Sequence, residues 1–546
     1  MPLRLYKLPD SIAISGRACH ANTASGFPAL SSPVETEIKL ELPAAEVPKL
    51  NKLAAVRRAK SNGGAKQVSV YFDTDKFALR KSGVTFRVRR NGSQYVQTVK
   101  APGSGLLDRT ELETELKGSK PDFSAIRHTT LRPLFTKALR KTLRPVFETR
   151  IDRTSYPLKV KQSQLELTLD RGKIGLGNRS RPVCEIEIEL KTGDKAELFK
   201  LARTISRLTT AEVSVKSKAQ RGYELLDDDE NSPAKADAVN LSADTATRDG
   251  FALIAASCIR QVIANKPAVL AGDPEGIHQM RVGLRRLRTA ISLFSEILED
   301  SATNAIKSEL RWLTEELAPA REFEVLLTRV VAPARRHHAR LMGMQHLSRE
   351  LAKERKLSNE RARDAVRSER FRRLLLRVTA WLEIGGWRNP RDDVLRKRGD
   401  TPIAASAAAQ LQRRSKKIRK RSRLLPKLDQ HRRHKLRIQA KKLRYAAEFF
   451  EAVFAGKRPS RLRKSYLAAL EKMQDRLGDL NDIAVHESLT ADIALDPAPH
   501  RDSSSRSRRA FAAGVLTGHE EARLAAVLSA AVKASDRFAK AKPFWK

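Results

Sequence analysis

The stretch Val34-Glu35-Thr36-Glu37-Ile38-Lys39-Leu40-Glu41-Leu42 decides the fold of the first half of the chain. Its residues alternate at a period of two, as in a strand whose successive side chains point to opposite faces. One face carries three glutamates and Lys39, and the other carries aliphatic side chains. The stretch therefore predicts a strand with one charged face and one apolar face.

The same alternation recurs in seven further segments of the first half. These predicted strands are 68–73, 84–90, 94–100, 109–116, 146–152, 164–171 and 182–190. Helical patterns lie at about 44–60, 122–140 and 194–208. Short strands at such intervals predict an antiparallel sheet or barrel.

The charged faces of these strands have two interpretations. Alternating charge is typical of a sheet face in water. Here, however, carboxylates gather on some strands and guanidinium groups on others, for example Arg87 and Arg89 against Glu185, Glu187 and Glu189. A sheet that closes with this face inward would form a tunnel lined by both positive and negative side chains. In such a tunnel the cations could bind a polyanion, and the carboxylates could bind metal ions beside it.

Composition limits the class of protein. Lys and Arg number 106 against 63 Asp and Glu, and the net charge of +43 favours polyanionic partners such as nucleic acid, anionic lipid or polyphosphate. There is no apolar run near the roughly 18 residues that would cross a bilayer, so we expect a soluble protein. Cys19, Cys184 and Cys258 are too few and too scattered for a disulfide framework or a four-cysteine zinc site, which favours the cytoplasm.

The chain divides at a polar stretch that begins with the acidic residues from Asp227 to Glu230. Before it the apolar period is two, and after it apolar residues recur every three or four positions, as in helices. The predicted organisation is a disordered segment 1–30, a β domain 31–226, a linker 227–247, a helical domain 248–535 and a tail 536–546.

The first half of the chain resembles a known protein family. Glu35-Thr36-Glu37-Ile38-Lys39 matches the ExExK signature of the CYTH (triphosphate tunnel metalloenzyme) family. Similar elements follow in family order: Phe86-Arg87-Val88-Arg89, Gln97-Thr98-Val99-Lys100, Phe147-Glu148-Thr149-Arg150, Glu166 to Gly172, Glu185-Ile186-Glu187-Ile188-Glu189 and Ser217-Lys218-Ala219. The ordered series makes the resemblance specific.

The resemblance implies an eight-stranded antiparallel tunnel that hydrolyses, or occasionally cyclises, triphosphates with Mg²⁺ or Mn²⁺. It implies metal ligands at Glu35, Glu37, Asp170, Glu185, Glu187 and Glu189, and phosphate-binding cations at Lys39, Arg87, Arg89, Lys100, Arg150 and Lys218. Glu35, Glu37 and Lys39 form the implied catalytic set. The expected reaction converts inorganic tripolyphosphate to diphosphate and phosphate.

The second half contains an internal repeat of cationic helices. Counting 100° per residue over 276–299 places His278, Arg281, Arg285 and Arg288 on one face. The same construction recurs over 433–454 with His434, Arg437, Lys441 and Arg444. A basic stripe is often only a solvated face, but its repetition favours an anion site shared by two helices. Repulsion from the neighbouring cations disfavours metal binding by the histidines.

These repeats resemble the CHAD (conserved-histidine alpha-helical) family over roughly 248–535. The family's Arg-Asp-x-Asp element stands here as Arg321-Glu322-Phe323-Glu324, with longer acids. The resemblance implies binding of long-chain polyphosphate, association with polyphosphate granules and no enzymatic activity in this half.

The expected architecture is thus α+β followed by all-α: an eight-stranded antiparallel tunnel, then a pseudo-twofold repeated helical bundle. The leading hypothesis is a metal-dependent inorganic triphosphatase fused to a polyphosphate-binding domain, without membrane association. Adenylate cyclase or thiamine triphosphatase activity in the same tunnel is one alternative. A non-catalytic protein that binds polyphosphate or RNA is another, although few aromatic residues accompany the basic helices to stack on bases.

Overall fold

The computed structural model describes residues 34–102, 107–129, 131–228, 230–298, 300–337, 342–495 and 503–545. The predicted disordered segment 1–30 lies outside the described residues. The first half is built on strands β1 to β9: Val34–Glu41, Gly64–Asp73, Thr85–Asn91, Gln94–Pro102, Asp108–Leu116, Arg144–Val160, Ser163–Leu176, Arg179–Thr192 and Glu212–Ser214. All eight predicted strands are present, and the three-residue β9 was too short for a pattern to indicate it.

The strands close into an antiparallel barrel. Their order is β5-β4-β3-β2-β6-β7-β8-β1-β9, and a further pairing of β1 with β5 joins the two ends. β1 pairs with β5 at residues 34–36 and with β9 at 39–41, so two partners share its free edge. The predicted tunnel architecture is confirmed.

The charged faces of β1, β7 and β8 point into the barrel. On β1, Ile38 and Leu40 are fully buried in an outer apolar core together with Ile186 and Ile188 of β8. Glu37 and Lys39, which alternate with them, form ion pairs inside the barrel. The interpretation of the charged faces as solvated surface is therefore wrong for these three strands, whereas on β6 the side chain of Arg150 is exposed.

Helices α1 to α5 accompany the barrel: Ala54–Arg58, Ala78–Lys81, Lys137–Thr142, Lys195–Leu208 and Lys218–Asp227. The second half is helical, with α6 to α18 at Thr247–Ala264, Lys266–Ala271, Pro274–Leu293, Ser301–Glu316, Ala318–Leu326, Ala332–His337, Met342–Arg367, Glu369–Ile384, Asp393–Asp400, Ile403–Ser422, Gln430–Phe449, Lys457–Leu495 and Ser503–Lys540. The two predicted cationic helices are α8 and α16, and each buries its apolar side.

The two halves share one hydrophobic core. Helix α4 lies between the barrel and α13, and α13 also contacts β9. At the edge of this contact Lys195 Nζ is 3.4 Å from Glu383 Oε2, and Lys266 of α7 binds Glu212 of β9. The barrel therefore packs directly against the helical half.

The segment between α5 and α6 also packs against the helical half. The Asn265 side chain donates to the carbonyl of Ala234 at 2.8 Å and accepts from its N–H at 2.9 Å. Leu241 is buried in the common core.

The predicted C-terminal tail is not separate from the helical half. α18 continues to Lys540, and Phe538, Phe544 and Trp545 are buried. Because these three aromatic side chains fill the same core, 536–545 belongs to the bundle. Among the described helices, none combines the length and the apolar character that crossing a bilayer requires.

Candidate active site and cationic cleft

The barrel interior contains a buried cluster of carboxylates and cations, here called the Glu187 cluster: Lys39, Arg153, Asp170, Glu185, Glu187 and Lys218. Glu187 is its centre. Arg153 Nη2 lies 2.9 Å from Glu187 Oε2, Lys218 Nζ lies 3.2 Å from Oε1, and Lys39 binds the same Oε1.

Strand register brings these residues together. Lys39 of β1 is directly opposite Glu187 of β8, and Glu185 of β8 is opposite Asp170 of β7. Asp170 is in turn opposite Arg153 of β6. Since directly opposite side chains in antiparallel strands are neighbours on one face, these pairings assemble the cluster.

Two of the carboxylates are fully buried. Arg153 makes a bidentate pair with Asp170, with N–O distances of 2.7 and 2.6 Å, and Lys218 Nζ lies 2.6 Å from Asp170 Oδ2. Lys218 and Arg221, both from α5, bind the two oxygens of Glu185. Helix α5 thus contributes two cations to the barrel interior.

The cations keep these carboxylates ionised. Burial alone would raise the pKa of Glu187, but Lys218, Lys39 and Arg153 hold it well below its usual value. The pKa of Asp170 is lowered in the same way, against burial, chiefly by Lys218 and Arg153. One oxygen each of Asp170, Glu185 and Glu187 lies within 4.8 Å of the others. Three carboxylates at this spacing offer the hard oxygen donors that Mg²⁺ and Mn²⁺ prefer, so the residues present fit a divalent metal.

A second group surrounds Glu35. Its carboxyl is hydrogen-bonded to Glu111 of β5, and burial together with that acidic neighbour raises the pKa of Glu35 to about 8. The pKa of Glu111, despite its burial, falls to about 2 because Lys100 and Arg87 are close. Arg87 Nη2 lies 3.8 Å from Glu111 Oε1, and Lys100 also binds Glu111. Lys100 Nζ is 3.9 Å from Glu35 Oε2.

The remaining predicted barrel residues occupy different places. Glu37 lies in the interior with Lys39 Nζ at 3.2 Å. Arg89 pairs with Glu113 at 2.8 Å. Glu189 pairs with Lys191 at 2.7 Å and does not join the Glu187 cluster.

Arg150 does not lie in the barrel interior. Its side chain is exposed and pairs with Glu148 at 2.6 Å. Arg153, three positions later on β6, lies on the opposite face and enters the interior. Strand periodicity could have indicated this, because an odd offset changes the face.

Arg221 and Glu111 were also missed as members of the interior. Arg221 lies beyond the last element of the family signature, and its approach to Glu185 depends on the packing of α5. Glu111 lies in the predicted strand 109–116, and the strand pattern alone does not assign it a role.

Helices α8 and α16 contact each other, and their cationic faces lie side by side. Burial and the nearby Arg285 lower the pKa of Arg281 to about 10, and Arg437 of the other helix contributes. Burial, Arg285 and Arg437 lower the pKa of Lys441 to about 6. The structure therefore brings Arg281, Arg285, Arg437 and Lys441 into one electrostatic group, here called the cleft cluster.

The cleft cluster has spare hydrogen-bonding capacity. Arg281 Nη1 is buried and has no hydrogen-bond partner among the described residues. Arg437 Nη2 is 3.5 Å from Asp482 Oδ1, and the pKa of Glu322, an acid that interacts electrostatically with Arg281, is raised by burial. Buried donors are normally satisfied, so this arrangement is suited to anionic oxygens supplied by a ligand.

The other predicted cleft residues lie around this centre. Arg288 is exposed near the C-terminal end of α8, and Arg444 pairs with Glu448 at 3.5 Å. His278 is half-buried, and burial together with Arg321 lowers its pKa to about 4. His434 is exposed, and its Nδ1 contacts Asn481 Oδ1.

Both domains match family models. Residues 34–223 match the CYTH domain and residues 253–491 match the CHAD domain. The chain therefore contains a CYTH domain followed by a CHAD domain.

Individual relatives cover parts of the chain. The Haemophilus influenzae protein named inorganic triphosphatase is 33% identical over 169 residues, which are 28% of this chain and 44% of that protein. The chain thus spans less than half the length of this curated relative. The crystal structure of the CHAD domain from the plant Ricinus communis is 29% identical, with a TM-score of 0.47, and the match covers 55% of this chain and 96% of that one. A candidate adenylyl cyclase from Hippeastrum that reveals a dominant triphosphatase activity is 19% identical, with a TM-score of 0.27 and coverage of 35% and 95%.

Proposed function

We propose that the barrel hydrolyses a triphosphate in the presence of Mg²⁺ or Mn²⁺, with inorganic tripolyphosphate as substrate and diphosphate and phosphate as products. The observation that carries this proposal is the Glu187 cluster, in which ionised carboxylates and cations share an enclosed interior. The relative named inorganic triphosphatase supports the same reaction class.

Asp170, Glu185 and Glu187 would hold the metal, with Glu35 and Glu37 as further ligands. When bound, it would reduce the charge of the phosphate chain and polarise the attacking water. Lys39, Lys218 and Arg153 now neutralise these carboxylates. With the carboxylates turned to a metal, the same cations are placed to bind phosphate oxygens, and burial strengthens each contact by excluding water.

Lys100, Arg87 and Arg89 would bind the rest of the phosphate chain. Lys100 and Arg87 are held beside Glu111, whose negative charge keeps them in place before substrate arrives. In this proposal Arg153 takes the phosphate-binding role that the sequence had given to Arg150, because only Arg153 faces the interior.

The experiment that tests this function is phosphate release by the purified full chain. Tripolyphosphate, ATP and thiamine triphosphate would be compared at equal concentration with Mg²⁺, with Mn²⁺ and with chelator. We expect tripolyphosphate to be the fastest substrate and chelator to abolish turnover. Undiminished activity in chelator would contradict the metal-dependent reaction, and a preference for ATP with release of a cyclic nucleotide would favour the cyclase.

We further propose that the cleft cluster binds long-chain polyphosphate. The observation behind this is the convergence of Arg281, Arg285, Arg437 and Lys441 from two helices, with a buried arginine nitrogen left unsatisfied. Phosphate oxygens along a chain would contact both helices at once. We also propose that the protein resides in the cytoplasm, and association with polyphosphate granules would follow from this binding.

Polyphosphate binding should take up protons through Lys441. The charged groups that face this amine are Arg285 of α8, Arg437 and Arg444 of α16 and Asp482 of α17. Burial and the three arginines outweigh Asp482 and lower the pKa of Lys441 to about 6. A bound polyanion would raise that pKa, so affinity should increase as the pH falls from about 8 and level off below 6. His278, with a pKa of about 4, stays neutral over this range.

Titration calorimetry in buffers of different ionisation enthalpy would measure the proton uptake. Lys441→Arg is the matched variant, because it keeps the charge at every pH and should bind with little pH dependence between 6 and 8. Equal pH dependence in the Lys441→Arg variant and the unmodified chain would contradict the assignment to Lys441.

A further inference from the structure

Helix α15 and the turn after it carry many positive charges and no negative charge. Residues 403–428 contain nine Lys or Arg and no Asp or Glu. Helix α12, by contrast, interleaves its cations with Glu350, Glu354, Glu360 and Asp364. A solvated helix face is normally balanced in the manner of α12, so α15 requires a different explanation.

The cations of α15 form an exposed stripe. Arg413, Lys417 and Lys420 follow each other at helical spacing and all three are exposed. At 1.5 Å per residue the stripe is roughly 10 Å long. Lys416, Arg421 and Arg423 are exposed beside it. Within the described residues, the only salt bridge that these six side chains form joins Arg413 to Glu296 at 3.5 Å, between two exposed groups.

The stripe begins where the cationic face of α8 ends. Arg414 Nη2 donates to the carbonyl of Ser292 at the C-terminal end of α8, at 3.3 Å. Burial lowers the pKa of Lys442 of α16, and Arg414 and Arg288 lie close enough to this amine to lower it further. The cations of α8, from Arg281 to Arg288, are thus continued by Lys442 and Arg414 onto α15.

We infer that α15 is a second binding segment for inorganic polyphosphate, which leaves the cleft cluster past Arg288 and continues along Arg413, Lys417 and Lys420. This inference rests on the proposed binding of polyphosphate in the cleft and extends it to the path of the chain. Contact with both segments makes the second attachment intramolecular, so it favours long polymers over short ones.

The composition of the stripe favours polyphosphate over nucleic acid. Single-stranded nucleic acid is usually held by aromatic side chains on which bases stack. Residues 403–428 contain no aromatic residue, and the exposed apolar side chain at the end of the helix is Leu424. A row of cations without stacking surfaces suits an anion that has no bases.

The test is a comparison of chain lengths with the full protein in chelator, so that no hydrolysis occurs. The variant is Arg413→Gln/Lys417→Gln/Lys420→Gln. Its matched control is Lys353→Gln/Lys356→Gln/Arg367→Gln on α12, which removes the same charge from exposed positions. The probes are tripolyphosphate, long-chain polyphosphate and single-stranded RNA of equal total charge, at one fixed salt concentration.

We expect the α15 variant to lose about tenfold or more in affinity for long-chain polyphosphate and less than about twofold for tripolyphosphate, while the α12 variant changes little with either. Equal losses in the two variants would overturn the inference, because only bulk charge would then matter. The inference would also be overturned if the α15 variant lost as much affinity for tripolyphosphate as for long-chain polyphosphate. It would be overturned as well if RNA bound as tightly as polyphosphate and its binding depended equally on the stripe. Failure of the unmodified chain to bind long polyphosphate would overturn the cleft proposal as well, which separates the two failures.

Discussion

Glu187→Gln is expected to reduce tripolyphosphate hydrolysis by about 100-fold or more. The substitution preserves shape but removes the charge that binds Lys39, Arg153 and Lys218. It also removes one of the three carboxylates that would hold the metal. The initial rate of phosphate release at saturating Mg²⁺ measures the effect.

Glu166→Gln is the matched control for this substitution. Glu166 lies on β7 in the same sheet, is half-exposed and is 3.5 Å from Lys191, outside the Glu187 cluster. It should retain activity within about threefold, as expected for a weak exposed ion pair. Because removal of one partner from a buried ion pair is also destabilising, the melting temperature of both variants should be measured. A folded Glu187→Gln variant with normal turnover would contradict the assigned role.

Arg281→Ala/Arg285→Ala should weaken binding of long-chain polyphosphate by about 100-fold or more, since each lost charge-assisted contact contributes roughly 1.5–3 kcal/mol. Both residues belong to the cleft cluster, where the surrounding cations and partial burial concentrate the potential. The salt dependence should become shallower at the same time, because fewer phosphate contacts release counterions. Titration at several salt concentrations gives both quantities.

The control for this pair is Arg335→Ala/Arg336→Ala. These two arginines are exposed on α11 and carry the same charge. We expect their removal to change affinity by less than about threefold through bulk charge alone. If the two pairs weakened binding equally, the cleft cluster would be an ordinary solvated surface.

Much of this arrangement could be predicted from local patterns. Period-two alternation located every long strand, and the mixture of signs on one face predicted that the face is enclosed. Closure of the barrel, however, depends on the pairing of β1 with β5, which joins residues distant in sequence. Such pairings are fixed by tertiary packing, on which local periodicity carries no information.

The residues of the candidate sites likewise divide into those that local patterns predict and those that depend on tertiary packing. The motifs identified Glu187 and Lys218 directly, whereas Arg221 reaches Glu185 only because α5 packs over the barrel. In the helical half the helix phase predicted which side chains share a face. It could not predict that Arg285 would approach Lys441 closely enough to lower the pKa of that amine, because the distance between two helices is set by the side chains packed between them.

The common core of the two halves should hold them together after proteolytic cleavage between them. The segment between Asp227 and Thr247 connects domains that are already held by α4 against α13 and by Lys266 on Glu212. A protease that cleaves one exposed bond there would remove the tether without removing the apolar contact. The two fragments should therefore migrate as one particle and separate only in denaturant, and halves produced from separate genes should reassemble by complementation.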